Sequence, residues 1–158
     1  MSISNTYSLI YNLVMELLLE QIKAVINKDI PLVSNLSNIS SLLYKMGDVN
    51  WAGFYIVEND TLYVGPFQGD VACAVIQKGK GVCGACLERK ESIVVPNVHD
   101  FKGHIACSSL SKSEIVVPVI KDDEIRLIID IDSPSYERFH DEELKFLKEV
   151  AFEIEKLF

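Results

Sequence analysis

The chain has 158 residues, of which 49% are hydrophobic and 24% charged, and its net charge is −8. This composition is typical of a soluble globular protein, and the length predicts one domain over residues 1–158 with a core of its own. The acidic balance and the lack of a cluster of Lys and Arg exclude ordinary nucleic-acid binding, because phosphate contacts need such a cluster.

The N-terminal region carries no signal for export or membrane insertion. The apolar stretch Leu9–Leu19 is interrupted by Asn12 and Glu16, so it is too short and too polar to span a bilayer. No basic residue precedes it and no small-residue cleavage site follows it. We therefore expect a cytoplasmic protein that does not bind membranes, in which structural disulfides are uncommon.

Hydrophobic periodicity, turn residues and caps predict two helices, a run of strands and a final helix. The N-terminal helices occupy residues 6–46, within which the first covers 6–27 and the second begins near Pro31 and stops at Gly47. The sheet and its loops occupy residues 49–132. Its predicted strands are 49–57, 61–64, 71–76, 92–95, 114–120 and 125–131, with a short helix at 82–89 and a final helix at 141–157 capped by Asp141.

This order indicates the α+β class, with one mostly antiparallel sheet covered by helices. The segment 97–112 is a long polar loop. A loop of this length inside a compact domain is usually functional. It carries Cys107, so the loop is a candidate part of an active site.

Strand alternation places Trp51, Gly53 and Tyr55 on one face, because residues two apart point the same way. Gly53 leaves space between two aromatic rings, which favours a shallow aromatic floor for a small apolar or soft group. A plain core face with a packing glycine is the alternative that this pattern leaves open.

The last strand carries two acidic residues among apolar ones. Asp130 and Asp132 share a face, and Glu114 begins the neighbouring strand and could face the same pocket. Carboxylates held close together raise the pKa of at least one of them, which suits an acid catalyst near neutral pH. Simple solvation at the strand end is the alternative. The opposite face of this strand is predicted to carry Ile125, Leu127, Ile129 and Ile131.

Four cysteines lie between residues 73 and 107. Cys83 and Cys86 form a C-x-x-C pair at the start of the short helix, where the helix dipole stabilises a thiolate, but this motif alone is a weak signal. Cys73 stands among small apolar residues and fits a buried hydrophobic role. A zinc site is a further alternative, for which the candidate ligands are Cys73, Cys83, Cys86, Cys107, His99 and His104.

Cys107 differs from the other cysteines because it lies in a polar loop three residues after His104. An exposed loop thiol among hydrogen-bond donors is the best candidate for a reactive nucleophile.

Several ordered motifs between Trp51 and Pro134 resemble those of the free methionine-(R)-sulfoxide reductases, which are enzymes of a single GAF domain. The motifs are GPFQG at 65–69, AC at 72–73, GKGVCG at 79–84, VPNVH at 95–99, GHIAC at 103–107, SEIVVP at 113–118 and DIDSP at 130–134.

The resemblance implies a role for each matching position. Cys107 matches the catalytic nucleophile, which becomes a sulfenic acid, Cys73 matches the resolving cysteine that forms a disulfide with it, and Cys83 matches an auxiliary cysteine in recycling. The residues matching the substrate-binding and acid groups are Trp51, Tyr55, Glu114, Asp130 and Asp132. The resemblance further implies a GAF-like fold with a six-stranded antiparallel sheet, a homodimer, no bound cofactor or metal, and recycling by thioredoxin or a similar dithiol.

Two departures from the family pattern lie near these positions. Cys86 replaces a small residue, which suggests a Cys83–Cys86 relay disulfide to the surface, and Ser108 replaces an acidic residue after the nucleophile. The alternative functions are a non-enzymatic GAF module that binds a small ligand or signals, and a zinc-binding structural protein.

Overall fold

The structure of the protein is a computed structural model that describes residues 3–105 and 107–158. Ala106, in the loop of the predicted nucleophile, lies outside the described residues. The helices are α1 (Ile3–Val25), α2 (Leu32–Leu43), α3 (Gly81–Arg89) and α4 (Asp141–Glu155), with 3-10 turns at Tyr44–Met46 and Val98–Asp100.

The described strands are β1 (Trp51–Glu58), β2 (Thr61–Gly69), β3 (Val75–Gln77), β4 (Ile93–Val95), β5 (Ser113–Lys121) and β6 (Glu124–Ser133). They form one six-stranded sheet in the order β3-β2-β1-β6-β5-β4, and every neighbouring pair is antiparallel. The prediction of an α+β fold built on a six-stranded antiparallel sheet is therefore confirmed.

The two faces of the sheet bury different cores. Helices α1, α2 and α4 cover one face, where Phe54, Ile129 and Ile131 are fully buried among helix side chains. Helix α3 and the loops cover the other face, where Trp51 and Tyr55 pack with residues of α3. The second face also carries polar side chains, so it is the face on which a pocket forms.

The third strand begins later than predicted. Residues 71–74 are apolar or small, which favoured a strand, but only Val75–Gln77 pair with β2. The carbonyl of Cys73 is instead bound by the side chain of Tyr55. The prediction that Cys73 lies on a strand is therefore wrong: it lies in an irregular segment before β3.

Two smaller predictions are also corrected. A register shift between Val119 and Ile120 turns Ile125 to the face of α3, where it joins the second core and not the face of Leu127. The N-cap of α4 is His140 and not Asp141, because the Glu143 side chain accepts the backbone N–H of His140 in a capping box.

Helix α1 packs against α2 and α4, and Met15, Leu18, Leu19 and Ile22 enter the core. Its opposite side carries a second apolar row, which is exposed and comprises Tyr7, Leu9, Ile10, Leu13, Val14 and Leu17. Among the described helices, none has the length and apolar character needed to cross a membrane.

Candidate active site

The register of three strands gathers the polar residues of the second face. Asp132 of β6 lies between Trp51 of β1 and Glu114 of β5, as a directly paired row. One row further along, Asp130 pairs with Gly53 of β1. Directly paired side chains in an antiparallel sheet lie on the same face. The sheet thus brings an aromatic side and an acidic side into one pocket.

The aromatic side is a stack of three rings. The Trp51 ring lies 6.0 Å from the Tyr55 ring and 5.1 Å from the Phe67 ring, in both cases nearly parallel. Gly53 is needed for this stack, since a Cβ atom there would lie 2.3 Å from Phe67 Cβ and 2.8 Å from Trp51 Cη2. The space predicted beside Gly53 is therefore filled by Phe67, a residue of β2 that strand alternation in β1 does not indicate.

The acidic side consists of three carboxyl groups whose surroundings disfavour the ionised form. Burial raises the pKa of Glu114 well above its usual range, and the nearby Asp130 and Asp132 raise it further. Burial also raises the pKa of Asp130 to about 7 and that of Asp132 well above its usual range. Among the described residues, Asp130 Oδ1 is buried without a hydrogen-bond partner. The cluster therefore holds protons near neutral pH and offers an acceptor for a bound cation.

Cys73 and Cys107 form a disulfide across 34 residues of sequence, with their Cα atoms 5.4 Å apart. Both residues are half-buried, so the expected exposure of Cys107 is wrong. The loop of Cys107 lies against the first turn of α3, where Gly81 approaches Ile105. The described lining of the pocket includes Cys107, Ser108, Cys83, Trp51, Tyr55 and the three carboxyl residues.

The two cysteines of α3 are free and buried. Burial raises the pKa of Cys83 well above its usual range and that of Cys86 to about 12. The helix dipole was expected to stabilise a thiolate at the start of α3, but the cost of desolvating the thiolate is larger. Both residues are buried and their thiols are free, which does not favour the predicted relay disulfide to the surface.

The six zinc ligands considered from sequence do not converge among the described residues. Cys73 and Cys107 are bonded to each other, and His99 is exposed. A different group is close enough to hold an ion: ligand atoms of Cys83, Glu114 and Asp130 lie within 4.8 Å of one another. Three ligands are fewer than the four of a structural zinc site, so the arrangement does not fit that role.

One polar residue of the pocket, Ser111, was missed from the sequence, and His104 was considered there only as a zinc ligand and as an imidazole near Cys107. His104 Nε2 lies 3.8 Å from Glu114 Oε2, and burial lowers the pKa of His104, so the neutral imidazole is favoured. Ser111 is buried and accepts a hydrogen bond from the Asn50 amide at 3.1 Å. Its hydrogen bond to Asp132 offsets part of the increase in the pKa of Asp132 that burial causes. Both are loop residues, which no strand or helix periodicity could have placed.

Comparison with known proteins agrees with this geometry. The GAF domain family model matches residues 31–157. The free methionine-R-sulfoxide reductase of Escherichia coli is 45% identical over 126 residues, which cover 79% of this chain and 76% of that protein. The enzyme of the same name from Saccharomyces cerevisiae is 45% identical over 152 residues, covering 90% of this chain and 84% of its own.

A solved structure gives the same result. The free methionine-R-sulfoxide reductase from Neisseria meningitidis, in complex with its substrate, superposes with a TM-score of 0.87 at 38% identity, covering 91% of this chain and 87% of that one. The fold and the pocket thus define an α+β domain of the GAF type with a redox site. Within that class, the chain belongs to the free methionine-R-sulfoxide reductases, a family of oxidoreductases.

Proposed function

We propose that the chain reduces free L-methionine-(R)-S-oxide to L-methionine by thiol chemistry at Cys107. The observation that carries this proposal is the Cys73–Cys107 disulfide at a pocket lined by aromatic rings on one side and protonated carboxyls on the other. The names of the related proteins support the same substrate.

The pocket suits both ends of this substrate. The free amino acid carries an ammonium group, which can donate hydrogen bonds to carboxyl oxygens of the acidic cluster of Glu114, Asp130 and Asp132. Within that cluster Asp130 Oδ1 has no other partner among the described residues, and the pKa of about 7 leaves Asp130 partly ionised near neutral pH, which adds attraction by charge. Its other end is a methyl-sulfinyl group, and a methyl beside a positive sulfur packs favourably on the faces of Trp51 and Tyr55. A peptide-bound sulfoxide has no free ammonium at that position, so the acidic cluster favours the free amino acid.

In the first step, the Cys107 sulfur attacks the sulfoxide sulfur while a carboxyl group protonates the sulfoxide oxygen. Glu114 is the best placed acid, because burial raises its pKa and keeps its proton available. Asp132, which faces it across the strands, is the second candidate. The oxygen is transferred to sulfur, methionine leaves, and Cys107 becomes a sulfenic acid.

In the second step, the Cys73 thiol attacks the Cys107 sulfenic acid, which forms the disulfide and releases water. The net reaction consumes two thiols and one sulfoxide and gives one disulfide, one methionine and one water. Thioredoxin or a similar dithiol then reduces the disulfide. Cys83 is proposed as an auxiliary thiol in recycling, subordinate to Cys73 because burial raises its pKa.

A stoichiometric experiment tests this scheme. Fully reduced protein is mixed with free methionine-(R)-sulfoxide without any external reductant, and methionine, thiols and disulfide-linked peptides are measured. We expect one methionine per chain, the loss of two thiols and a Cys73–Cys107 linked peptide. No methionine, or methionine without loss of thiols, would refute the scheme.

We also propose a cytoplasmic homodimer that uses the exposed apolar row of α1. Six large apolar side chains on one exposed helix face form a patch of the kind that marks a protein interface. A second copy buries the same patch in a symmetric contact. Light scattering should give a dimer for the wild type and a monomer for Leu13→Glu; a monomeric wild type would contradict the proposal.

A cytoplasmic setting supplies the dithiol reductant that the cycle needs.

A further inference from the structure

The buried Tyr55 side chain joins the aromatic floor to the segment that carries Cys73. Its hydroxyl donates a hydrogen bond to the Cys73 carbonyl oxygen at 3.0 Å, while its ring stacks with Trp51. Only 2% of Tyr55 is exposed. Burial and the neighbouring acidic groups raise the pKa of the phenol above its usual range, so the hydroxyl remains a donor.

The segment in question is residues 70–74, which we call the Cys73 segment. It lies between the paired parts of β2 and β3, and Val71 within it is 87% exposed. Trp51 Nε1 donates to the Asp70 carbonyl at 3.1 Å, and the Ala74 carbonyl accepts from the Val64 amide at 3.0 Å. Together with Tyr55 and the disulfide, these bonds hold the Cys73 segment over the pocket.

The pocket under this segment is small. Its free volume is about 40 Å³, which holds water molecules but not an amino acid, because sites for small organic ligands usually offer about 300 Å³ or more. An amino acid therefore needs a wider form of this pocket. Outward movement of the Cys73 segment would provide one, and in such a form the Tyr55 hydroxyl would lose its partner at Cys73.

We propose that Tyr55 is a positioning residue for the thiol exchange: its hydroxyl holds the Cys73 carbonyl at the pocket floor and thereby favours the Cys73–Cys107 disulfide over the reduced pair. This inference rests on the proposed function in that it assigns the disulfide to the reaction cycle. It adds that one residue of the substrate floor also sets the redox equilibrium of the cysteine pair. Tyr55 thus serves the substrate floor with its ring and the Cys73 segment with its hydroxyl.

The test is a redox titration of the purified protein in mixtures of reduced and oxidised dithiothreitol. In this equilibrium two protein thiols are oxidised to the disulfide while oxidised dithiothreitol is reduced to its dithiol. Tyr55→Phe keeps the ring and removes the hydroxyl, and Tyr63→Phe is the matched control because Tyr63 is partly exposed on β2. The melting temperatures of the reduced proteins show whether each variant remains folded.

We expect Tyr55→Phe to lower the equilibrium constant for disulfide formation about five-fold, the effect of one hydrogen bond, or ~20 mV in reduction potential. Trp51→Phe, which removes the donor to Asp70, should shift the potential in the same direction. An unchanged potential in Tyr55→Phe, or an equal shift in Tyr63→Phe, would overturn the inference. The titration contains no methionine sulfoxide, so its outcome does not depend on whether the chain reduces that substrate.

Discussion

Glu114 lies directly opposite Asp132 across strands β5 and β6, so a buried and a half-buried carboxyl group from different strands face one pocket. The charges of Asp130 and Asp132 raise the cost of ionising Glu114, in addition to the larger cost of burial. A proton is consequently held beside Cys107 at neutral pH. This is the group that sulfoxide reduction needs, since the departing oxygen must be protonated.

Replacement of the acid should slow the chemical step. Glu114→Gln keeps the shape of the side chain but cannot give up a proton, and we expect kcat to fall about 10²- to 10³-fold. Steady-state assays with free methionine-(R)-sulfoxide measure this. Glu58→Gln, at an exposed position near the end of β1, is the control and should retain activity. A wild-type kcat in Glu114→Gln would show that another group protonates the sulfoxide oxygen.

The raised pKa of Asp130 makes stability depend on pH. Its value of about 7 in the folded protein lies above the usual value of about 4, so the proton stabilises the folded state. This contribution is fully present below about pH 4 and is lost as the pH rises through 7. Between about pH 5 and pH 8, we expect the free energy of unfolding of the wild type to fall by about 3 kcal/mol from this group.

Asp130→Asn removes the titration and should flatten this dependence. Denaturant unfolding of both proteins at the two pH values gives the comparison, with Asp122→Asn as an exposed control. Parallel losses of stability in the wild type and Asp130→Asn would contradict the assigned pKa.

Cys107→Ser should abolish methionine formation, because an alcohol is too weak a nucleophile to replace the thiol at the sulfoxide sulfur. The assay couples turnover to dithiothreitol, so that no particular protein reductant is needed. Cys86→Ala serves as the matched control, since it removes a buried thiol outside the disulfide. Turnover that persists in Cys107→Ser would show that another residue is the nucleophile.

Cys73→Ala should separate the two steps of the cycle. The first methionine per chain is still released, because the Cys107 thiol is intact, but turnover driven by thioredoxin slows. Rapid-quench measurement of methionine and trapping of the sulfenic acid with dimedone follow the two steps. If recycling were as fast as in the wild type, Cys83 would be the resolving thiol.

The sheet and much of the site could be predicted from sequence, because strand periodicity is local. Alternation alone placed Trp51 with Tyr55, and Asp130 with Asp132, on the face that forms the pocket. The same argument failed for Ile125, since a register shift near the hairpin turn changes which face a residue takes. Such a shift depends on strand pairing and leaves no mark in the spacing of residues.

The Cys73 segment shows a second limit. Its small apolar residues favoured a strand, but only Ala74 bonds to β2, and hydrogen bonds from Trp51 and Tyr55 and the disulfide to Cys107 hold the preceding residues in an irregular conformation. These partners are distant in sequence. The pairing of the two cysteines was likewise implied by resemblance and not by the spacing of the four cysteines.

The most direct test of the account compares four substrates under one condition: the R and S epimers of methionine sulfoxide, each as the free amino acid and within a peptide. Reduced protein is supplied with thioredoxin, its reductase and NADPH, and methionine formation is measured by mass spectrometry. We expect turnover of the free R epimer alone, because the acidic cluster binds a free ammonium group and the related reductases are named for the R epimer. Equal activity on the peptide-bound R epimer, or no activity on the free one, would contradict it.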